Sequence, residues 1–396
     1  MSPRARNVWV LAHRWTGLVL GVLIVLIGVT GSILIFEDEL YAILNPELSR
    51  VEPGEAYLPY DVLVAAAAEG YPDLQPGYVA RLTDADTAPL IVTLQGASSR
   101  EEKVIVNPYT GEVLGHQSAF SSLALIRRLH ADFALGDLGR NAVGGLSIVI
   151  AVMSLVGLIL WWPGKGAWAR SLKINWRARP RLMLRDLHNA GGAYVFVFVL
   201  LSAITVPPIV WKLTTPGGGP PQASAAARPE APSSGPPQAA APARPGPPAS
   251  RPPSTGARPM SIPWQQAIDA AQAAIPGQWV GFALRPLGPA PFYMIRLWPP
   301  GEVATPEMTT VFVNRYNGEI IRVSSPQAMT PIRMISADFL ITLHSGAIAG
   351  LPGRLIMFIA GLGFAVLFFS GLATWVMRRT SRKNQPASPT PGEPQD

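Results

Sequence analysis

Four long uncharged runs limit the folds open to this chain of 396 residues. Each run has 22 or 23 residues, and together they cover residues 15–36, 141–162, 189–211 and 355–377. A helix of this length extends about 33 Å, which is enough to cross a hydrocarbon core of about 30 Å. The runs therefore predict four transmembrane helices. They also explain why only 14% of the residues are charged, against about 25% in soluble domains.

The first run differs from a cleaved signal peptide. It is longer than an ordinary h-region, and the acidic residues 37–39 follow it where a signal peptide has small residues. We therefore expect residues 15–36 to remain as a helix of the folded protein.

Arg and Lys near the ends of the runs predict the orientation of the helices. The basic segments are the N-terminus, the C-terminal tail and the short connection 163–188, which holds a single acid, Asp186. We expect these segments, and so both termini, to be cytoplasmic, and the long connections 37–140 and 212–354 to lie outside. This topology accounts for much of the net charge of +7, so the expected partner of the basic residues is membrane lipid and not nucleic acid.

An internal duplication relates the two halves of the chain. His130 and His344 are each followed six residues later by Gly-x-x-Gly-Arg, which ends at Arg140 or Arg354 and leads into an apolar run. Upstream of each copy lies a similar nine-residue phrase, at Val104–Glu112 and Val311–Glu319.

The duplication predicts two histidine pairs at two depths. His13 and His188 each precede an apolar run and stand four residues before a glycine. Two halves that both begin inside are related by a pseudo-twofold axis along the membrane normal. We therefore expect His13 beside His188 near the cytoplasmic face, and His130 beside His344 near the outer face. A register based on the repeated Ala-Asp-Phe would instead place His130 opposite Ser336, but it has fewer identities.

The two outer connections have matching secondary-structure patterns. Each contains a predicted helix, at Pro59–Glu69 and Pro263–Ala274, followed by segments in which apolar and polar residues alternate as in half-buried strands. Residues 216–259 are dominated by Pro, Ala, Gly and Ser, which predicts a disordered or polyproline-like linker. The predicted strands are 78–82, 90–94, 103–106 and one from Glu112 in the first copy, and 279–284, 292–298, 309–313 and 319–323 in the second.

The residue types and motifs that the sequence lacks restrict its chemistry. There is no cysteine, which excludes disulfides, thiolate metal sites, iron–sulfur clusters and covalently attached haem. There is no dinucleotide-binding fingerprint and no Walker motif, so a flavin or nicotinamide domain is not expected. Five histidines remain as strong metal ligands. His116 has no counterpart in the duplication, since Val323 holds that position, and is expected at the surface.

Several short phrases near the helix ends point to a known family. They are His13-Arg14-Trp15-Thr16-Gly17, Leu129-His130, Gly139-Arg140, Trp161-Trp162-Pro163, Leu187-His188, Leu343-His344 and Leu351-Pro352-Gly353-Arg354. They resemble the PepSY-associated transmembrane helix family, and the outer repeats are similar to PepSY domains. The resemblance covers most of the chain except 216–259 and the tail. It implies an iron-regulated protein of the bacterial inner membrane and, as in some members, a ferric-siderophore reductase with b-type haem.

Paired histidines suit haem because two neutral imidazoles complete a six-coordinate electron-transfer iron. Haem also carries anionic propionates, for which Arg140 and Arg354 are candidate partners, although both could instead be membrane-surface anchors. The expected ligands of the iron in two haem b groups per chain are His13, His130, His188 and His344.

The sequence predicts an α+β membrane protein in which four transmembrane helices form a tandem two-helix repeat with two PepSY-like α+β extracytoplasmic domains. The first half divides into 1–36 (N-terminus and first helix), 37–128 (outer domain), 129–162 (interfacial segment and second helix) and 163–188 (basic cytoplasmic loop). The second half divides into 189–211 (third helix), 212–260 (linker), 261–335 (outer domain), 336–377 (interfacial segment and fourth helix) and 378–396 (cytoplasmic tail).

The expected function is passage of electrons from the cytoplasmic or quinol side to a periplasmic ferric-siderophore or other ferric chelate, as an oxidoreductase of iron uptake. The electron donor would be a quinol or a separate protein, because the chain has no room for a flavin domain. Two alternatives remain open at this stage. One is a non-catalytic PepSY-type regulatory or binding protein, and the other is a component of iron or siderophore transport, with a homodimer enlarging the pathway.

Overall fold

The computed structural model of the protein combines a bundle of long helices with one antiparallel sheet. It describes residues 2–81, 83, 85–96, 101–117, 122–164, 166–211, 260–285, 290–300, 308–324 and 336–383. The Pro-rich segment 216–259 and residues 384–396 of the predicted C-terminal tail lie outside these residues.

The four predicted spans are confirmed as long helices, each apolar and long enough to cross a membrane. The chain is therefore a multi-pass membrane protein of mixed α+β class. The spanning helices are α1 (Pro3–Leu34), α6 (Gly136–Trp161), α8 (Pro180–Val210) and α11 (Gly350–Lys383). The shorter helices are α2 (Glu37–Leu44), α3 (Pro46–Ser49), α4 (Tyr60–Ala68), α5 (Ser122–Asp132), α7 (Trp168–Ser171), α9 (Trp264–Ala274) and α10 (Ala337–Ser345).

The spanning helices pack as a ring in which α1 contacts α11, α11 contacts α8, α8 contacts α6 and α6 contacts α1. Small residues let α1 and α11 approach closely. A methyl group on Gly361 of α11 would collide with the Ser32 side chain and the Gly28 backbone oxygen of α1. The Ser32 hydroxyl also lies 2.9 Å from the Phe358 carbonyl oxygen. Such a hydrogen bond between helices holds an apolar interface in one register.

All four spanning helices begin before their uncharged runs, and α1 and α8 begin earliest, by nine or more residues. Helix α1 starts at Pro3, where Ser2 accepts a hydrogen bond from the Ala5 N–H at 3.3 Å and proline occupies the first turn. Helix α8 starts at Pro180. Because both helices extend beyond the apolar runs, His13 and His188 lie within helices and not at their ends.

Short helices precede α6 and α11, and the sequence did not identify them as separate elements. Helix α5 ends where Phe133 and Ala134 adopt positive φ angles of 51° and 59°. Helix α10 ends at Gly346, with φ of 78°. Helix α5 packs on α1 and α10 packs on α8. The short helices therefore bring His130 and His344 against the bundle.

The two outer connections form one eight-stranded antiparallel sheet with the order β4-β3-β2-β1-β5-β6-β7-β8. Its strands are β1 (Gln75–Ala80), β2 (Leu90–Gln95), β3 (Glu101–Val106), β4 (Val113–Gln117), β5 (Trp279–Leu284), β6 (Phe292–Trp298), β7 (Thr309–Asn314) and β8 (Ile320–Ser324). Strands β1 and β5, one from each copy, pair directly, with Val79 opposite Ala283. Because this pairing removes an open edge from each four-stranded half, the two copies share a continuous sheet.

Helices α4 and α9 cover one face of this sheet. Their apolar residues and alternate residues of the strands form one buried core, as a strand period of two predicts. The helices also cap each other. The Asp61 carboxylate accepts from the N–H groups of Trp264 and Gln265 at 2.8 and 3.0 Å, and the Gln265 side-chain oxygen accepts from the Tyr60 N–H at 3.0 Å.

The other face of the sheet contacts α3, close to the C-terminal end of α1. Leu48 of α3, which follows α1 through α2, lies against Gly115 of β4. Gly115 pairs with Ile105, whose side chain is on the face opposite the core of α4 and α9. Lys103 shares the face of Ile105. Burial raises the pKa of Glu37 at the start of α2, and the positive charge of Lys103 opposes that rise.

Candidate functional site

The first histidine pair lies inside the bundle. His13 of α1 and His188 of α8 face each other, with ring centroids 6.3 Å apart and ring planes at 88°. Both residues lie in the N-terminal half of their spanning helices, about two to three turns from the first residue. The structure thus brings together the two residues that the duplication pairs, and we name them the inner pair.

The second pair joins the two short helices. His130 of α5 and His344 of α10 have ring centroids 6.2 Å apart and ring planes at 58°. His130 contacts the backbone of Ile27, which is 14 residues beyond His13 on α1 and so about 21 Å along the helix. We name His130 and His344 the outer pair, in the register that matches His130 with His344 and not with Ser336.

Backbone carbonyl groups determine which ring nitrogen carries the proton in three of the four histidines. The Nδ1 atoms of His130, His188 and His344 lie 3.0, 2.8 and 3.1 Å from carbonyl oxygens. A carbonyl oxygen only accepts, so each Nδ1–H donates and Nε2 is left as the bare nitrogen. This is the arrangement in which a histidine binds a metal through Nε2 while its other nitrogen is held by the protein.

The environment of His13 is less complete. Its Nδ1 is buried and makes no hydrogen bond of standard geometry within the described residues, although it faces the backbone of Met153. Met153 is the counterpart of Leu367, whose carbonyl oxygen accepts from His188. The inner pair is therefore asymmetric in how its rings are held.

The spacing of both pairs fits one metal between two imidazoles. An imidazole nitrogen binds a metal at about 2 Å and lies about 1.1 Å from its ring centroid, so two imidazoles on opposite sides of one metal have centroids about 6.2 Å apart. The observed separations are 6.3 and 6.2 Å. No group of three or more His, Cys, Asp or Glu that could hold a metal ion occurs among the described residues. Two imidazoles alone suit a macrocycle that supplies the other four ligands.

A cavity of about 500 Å³ surrounds the inner pair, within the usual size range of ligand pockets, about 300–1,000 Å³. Gly17 and Gly192, the glycines four residues after His13 and His188, both line it. Two further glycines face the rings: a Cβ atom at Gly157 would lie 3.2 Å from His13, and one at Gly371 would lie 3.3 Å from His188. Larger side chains at these positions would enter the space beside the imidazoles.

The lining of this cavity is cationic. Four arginines contribute to it, and none of the residues that line it is Asp or Glu. Arg185 forms an ion pair with Asp186 at 3.2 Å, whereas the buried Nε of Arg14 has no hydrogen-bond partner within the described residues. Such a lining suits a ligand with carboxylates. The four arginines are Arg6, Arg14, Arg185 and Arg378.

The predicted outer arginines have different surroundings. The Arg354 guanidinium donates to the Ile35 carbonyl oxygen at 2.5 Å and pairs with the Glu39 carboxylate at 2.6 Å. Arg140 pairs with the exposed Asp137, one turn earlier on its own helix, at 3.1 Å. Arg354 is therefore committed to the junction of α1 and α11, whereas the half-exposed Arg140 is accessible to a ligand.

His116 lies outside both pairs. It is exposed on β4, where its Nδ1 is 3.1 Å from the Tyr71 hydroxyl. Gly136 and Gly350, the first glycines of the repeated Gly-x-x-Gly-Arg motif, adopt positive φ angles of 63° and 60° at the starts of α6 and α11. Their positive φ angles allow the chain to reverse direction between the short and the spanning helix. A Cβ atom at either position would meet nothing within 4 Å.

Sequence reasoning missed several residues that lie against the histidines, among them two threonines and two glycines at equivalent places in the repeat. The signal that could have identified them is the repeat itself. Thr30 and Thr205 stand 17 residues after His13 and His188, and Gly157 and Gly371 stand 17 residues after Arg140 and Arg354.

Comparison with known proteins identifies one family. The family described as the PepSY-associated TM region matches residues 10–378. Among solved structures, a candidate lipoprotein from Clostridium difficile 630 is similar over 68% of this chain and 95% of its own, with 11% identity and a TM-score of 0.27. A TM-score this low carries no argument. No curated protein matches the chain significantly.

Proposed function

The chain belongs to the PepSY-associated TM region family, and on this premise we propose that it is a haem b protein of the bacterial inner membrane that passes electrons outward to a ferric chelate. The observation that carries the proposal is the matched geometry of the two histidine pairs. Each pair has one ligand from each half of the chain, and each has the centroid spacing of two imidazoles that share one metal.

The histidines have defined roles in this proposal. His13 and His188 hold one haem in the inner half of the bundle, and His130 and His344 hold a second toward the sheet. Bound by two imidazoles, b-type haem supplies a reversible one-electron couple of its iron. The carbonyl groups that accept from Nδ1 keep the imidazoles in the tautomer that binds through Nε2.

The cationic residues would complete the sites. Arg14 lines the inner cavity with a buried Nε that has no partner among the described residues, so it suits a propionate carboxylate. Arg6 and Arg378 line the same cavity and would add to this charge. At the outer end Arg140 is the better candidate, because Arg354 is engaged by Glu39 and Ile35.

Orientation follows from the basic residues near the inner pair. The positive-inside rule places the N-terminus, the loop 163–188 and the C-terminal tail in the cytoplasm. The sheet then lies in the periplasm, at the same end of the bundle as the outer pair. An electron entering from a quinol or a donor protein near His13 and His188 would leave beside His130 and His344.

The acceptor in this proposal is a ferric chelate such as a ferric-siderophore. Oxygen ligands of a chelator hold ferric iron more tightly than ferrous iron, so one-electron reduction weakens the complex and releases the metal. The face of the sheet that contacts α3, at the same end of the bundle as the outer pair, is where such a substrate would meet the electron.

Stopped-flow spectroscopy tests this function. The purified protein is reduced with dithionite, freed of excess reductant and mixed with a ferric trishydroxamate chelate, while the reduced absorption bands are followed. We expect rapid reoxidation with formation of ferrous iron, slowed at least tenfold in His130→Ala and unchanged in His116→Ala. A reduced protein that ferric chelates do not reoxidise would contradict the reductase function. A protein purified without colour from haem-replete cells would leave a binding role for the PepSY region.

A further inference from the structure

Two threonines are buried within the apolar spans at equivalent places in the repeat. Thr30 of α1 is 5% exposed and Thr205 of α8 is 3% exposed. Burying a hydroxyl in an apolar helix is unfavourable unless the hydroxyl is hydrogen-bonded. Each threonine lies beside one histidine of the outer pair. Thr205 Oγ1 is 3.0 Å from His344 Nδ1, and Thr30 Oγ1 is 3.4 Å from His130 Nδ1.

The single proton of each hydroxyl is already used within its own helix. Thr30 Oγ1 donates to the Leu26 carbonyl oxygen at 2.6 Å, and Thr205 Oγ1 donates to the Ser202 carbonyl oxygen at 2.8 Å. What remains at each oxygen is a lone pair that accepts. Each threonine can therefore receive a hydrogen bond from the neighbouring Nδ1–H, in addition to the one that the carbonyl oxygen receives.

We propose that Thr30 and Thr205 are positioning residues for the outer pair, an inference that rests on the proposed haem function. Each Nδ1–H of the outer pair is shared between a carbonyl oxygen and a threonine hydroxyl oxygen. At His344 the Ser202 hydroxyl also lies 3.2 Å from Nδ1, farther than Thr205. This fork limits rotation of the ring and keeps Nε2 directed at its partner. It also makes the imidazole more electron-rich, which favours the oxidised iron and lowers the reduction potential of the outer site.

The inner pair lacks this symmetric support. Ser370 Oγ lies 3.3 Å from His188 Nδ1, but the corresponding position in the other half is Val156. His13 Nδ1 makes no hydrogen bond of standard geometry within the described residues. The two threonines therefore make the outer site chemically distinct from the inner one.

A simpler explanation is that the threonines only bond back to their own helices, as hydroxyl residues in membrane helices commonly do. Ser147 of α6 provides a control for that explanation. It is 4% exposed and lies 2.7 Å from the Gly144 carbonyl oxygen, and within the described residues it contacts no histidine. Replacing it removes a buried back-bonded hydroxyl without touching either pair.

A redox titration of the purified protein, followed by visible spectroscopy, tests the proposal. Thr205→Val should raise the midpoint potential of the outer haem by up to about 59 mV, a tenfold change in its oxidised-to-reduced ratio. Thr30→Val should raise it by less, because its contact is longer. Thr205→Ser keeps the hydroxyl and should have the wild-type midpoint potential. Ser147→Ala should leave both potentials unchanged. The outer component is assigned by its loss in His130→Ala.

The outcomes distinguish a failure of the proposed function from a failure of the positioning role. If wild-type protein binds no haem, the proposed function fails. If two haems are present and Thr205→Val shifts the outer potential no more than Ser147→Ala does, the proposed function stands and the positioning role is wrong. An equal shift in Thr205→Val and Thr205→Ser would also overturn the positioning role, because loss of the hydroxyl would then not be the cause.

Discussion

At the scale of single residues, the space and the hydrogen bonds around each imidazole decide what the histidines can bind. Gly157 and Gly371 leave room directly beside His13 and His188. Neither glycine has a positive φ angle, so their value lies in the missing side chain and not in backbone freedom. Both positions are equivalent in the repeat, which indicates one requirement met twice.

A larger residue at Gly371 should therefore displace the inner cofactor. We expect Gly371→Val to remove about one of two haems, because the added methyl groups would occupy the space beside His188. Gly145→Val in α6 is the matched control, since a Cβ atom at Gly145 meets nothing within 4 Å. The pyridine haemochrome assay measures both variants. Full haem content in Gly371→Val would show that this space is not used.

The ion pair between Glu39 and Arg354, at the junction of α1 and α11, makes folding stability depend on pH. Hydrogen bonding from Arg354 lowers the pKa of Glu39 below its ordinary value of 4.5. A carboxyl group with a lowered pKa stabilises the folded state above its unfolded pKa, and this contribution is lost as the pH falls through the folded value. The Glu39 side chain is 49% exposed, so the effect should stay below about 1 kcal/mol.

Thermal unfolding from pH 6 down to pH 3 measures this effect. The difference in melting temperature between wild type and Glu39→Gln should be largest at pH 6 and disappear at the acidic end. Glu47→Gln is the control, because Glu47 is exposed on α3 and outside this ion pair. A Glu39→Gln difference that grows as the pH falls would have the wrong sign for the stated cause.

At the scale of elements, helices α5 and α10 carry the outer ligands without crossing the membrane. Each is followed by a reversal into a spanning helix, but the two reversals differ. The second uses Gly346 at positive φ, whereas the first places Phe133 and Ala134 there. A left-handed conformation costs a non-glycine residue about 1–2 kcal/mol. Phe133 packs against the apolar core of the bundle, and that burial offsets part of the cost.

This strain predicts opposite effects for two neighbouring substitutions. Ala134→Gly should raise the melting temperature, because glycine adopts its φ angle of 59° without a steric penalty. Ala131→Gly, inside α5, should lower stability by up to about 1 kcal/mol through its poorer helix propensity. Differential scanning calorimetry of the two variants distinguishes them. Equal losses in both would show that the turn at Ala134 is not strained.

The sequence predicted the spans and the core strands because their hydropathy patterns are long and regular. It did not predict where α1 and α8 begin, because their first turns contain Arg and lie before the apolar run. It also missed the separate helices α5 and α10. The end of α5 depends on local φ angles at Phe133 and Ala134, and that of α10 on the φ angle of Gly346, which composition does not reveal.

At the scale of the whole molecule, the duplication relates the helices, the histidine hydrogen bonds and the strands of one half of the chain to those of the other. The sequence indicated the two histidine pairs through matched spacing, and the structure brings each pair together. It did not reveal that β1 and β5 join the outer copies into one sheet, because strand pairing between distant segments has no local signal. The commitment of Arg354 to Glu39 likewise depends on a contact between residues far apart in sequence.

Both halves are therefore needed for each proposed cofactor site, since every pair takes one histidine from each. The central claim is that four specific histidines bind two haems, independent of which chelate accepts the electrons. The exposed His116, outside both pairs, offers a matched control.

The most direct test is the haem content of purified wild type and of five single His→Ala variants, by pyridine haemochrome assay with oxidised and reduced spectra. We predict about two haems per chain with low-spin b-type bands in wild type and in His116→Ala. We predict about one in each of the variants at His13, His130, His188 and His344. A colourless wild type, or variants of the paired histidines that keep the full haem content and spectrum, would contradict the claim.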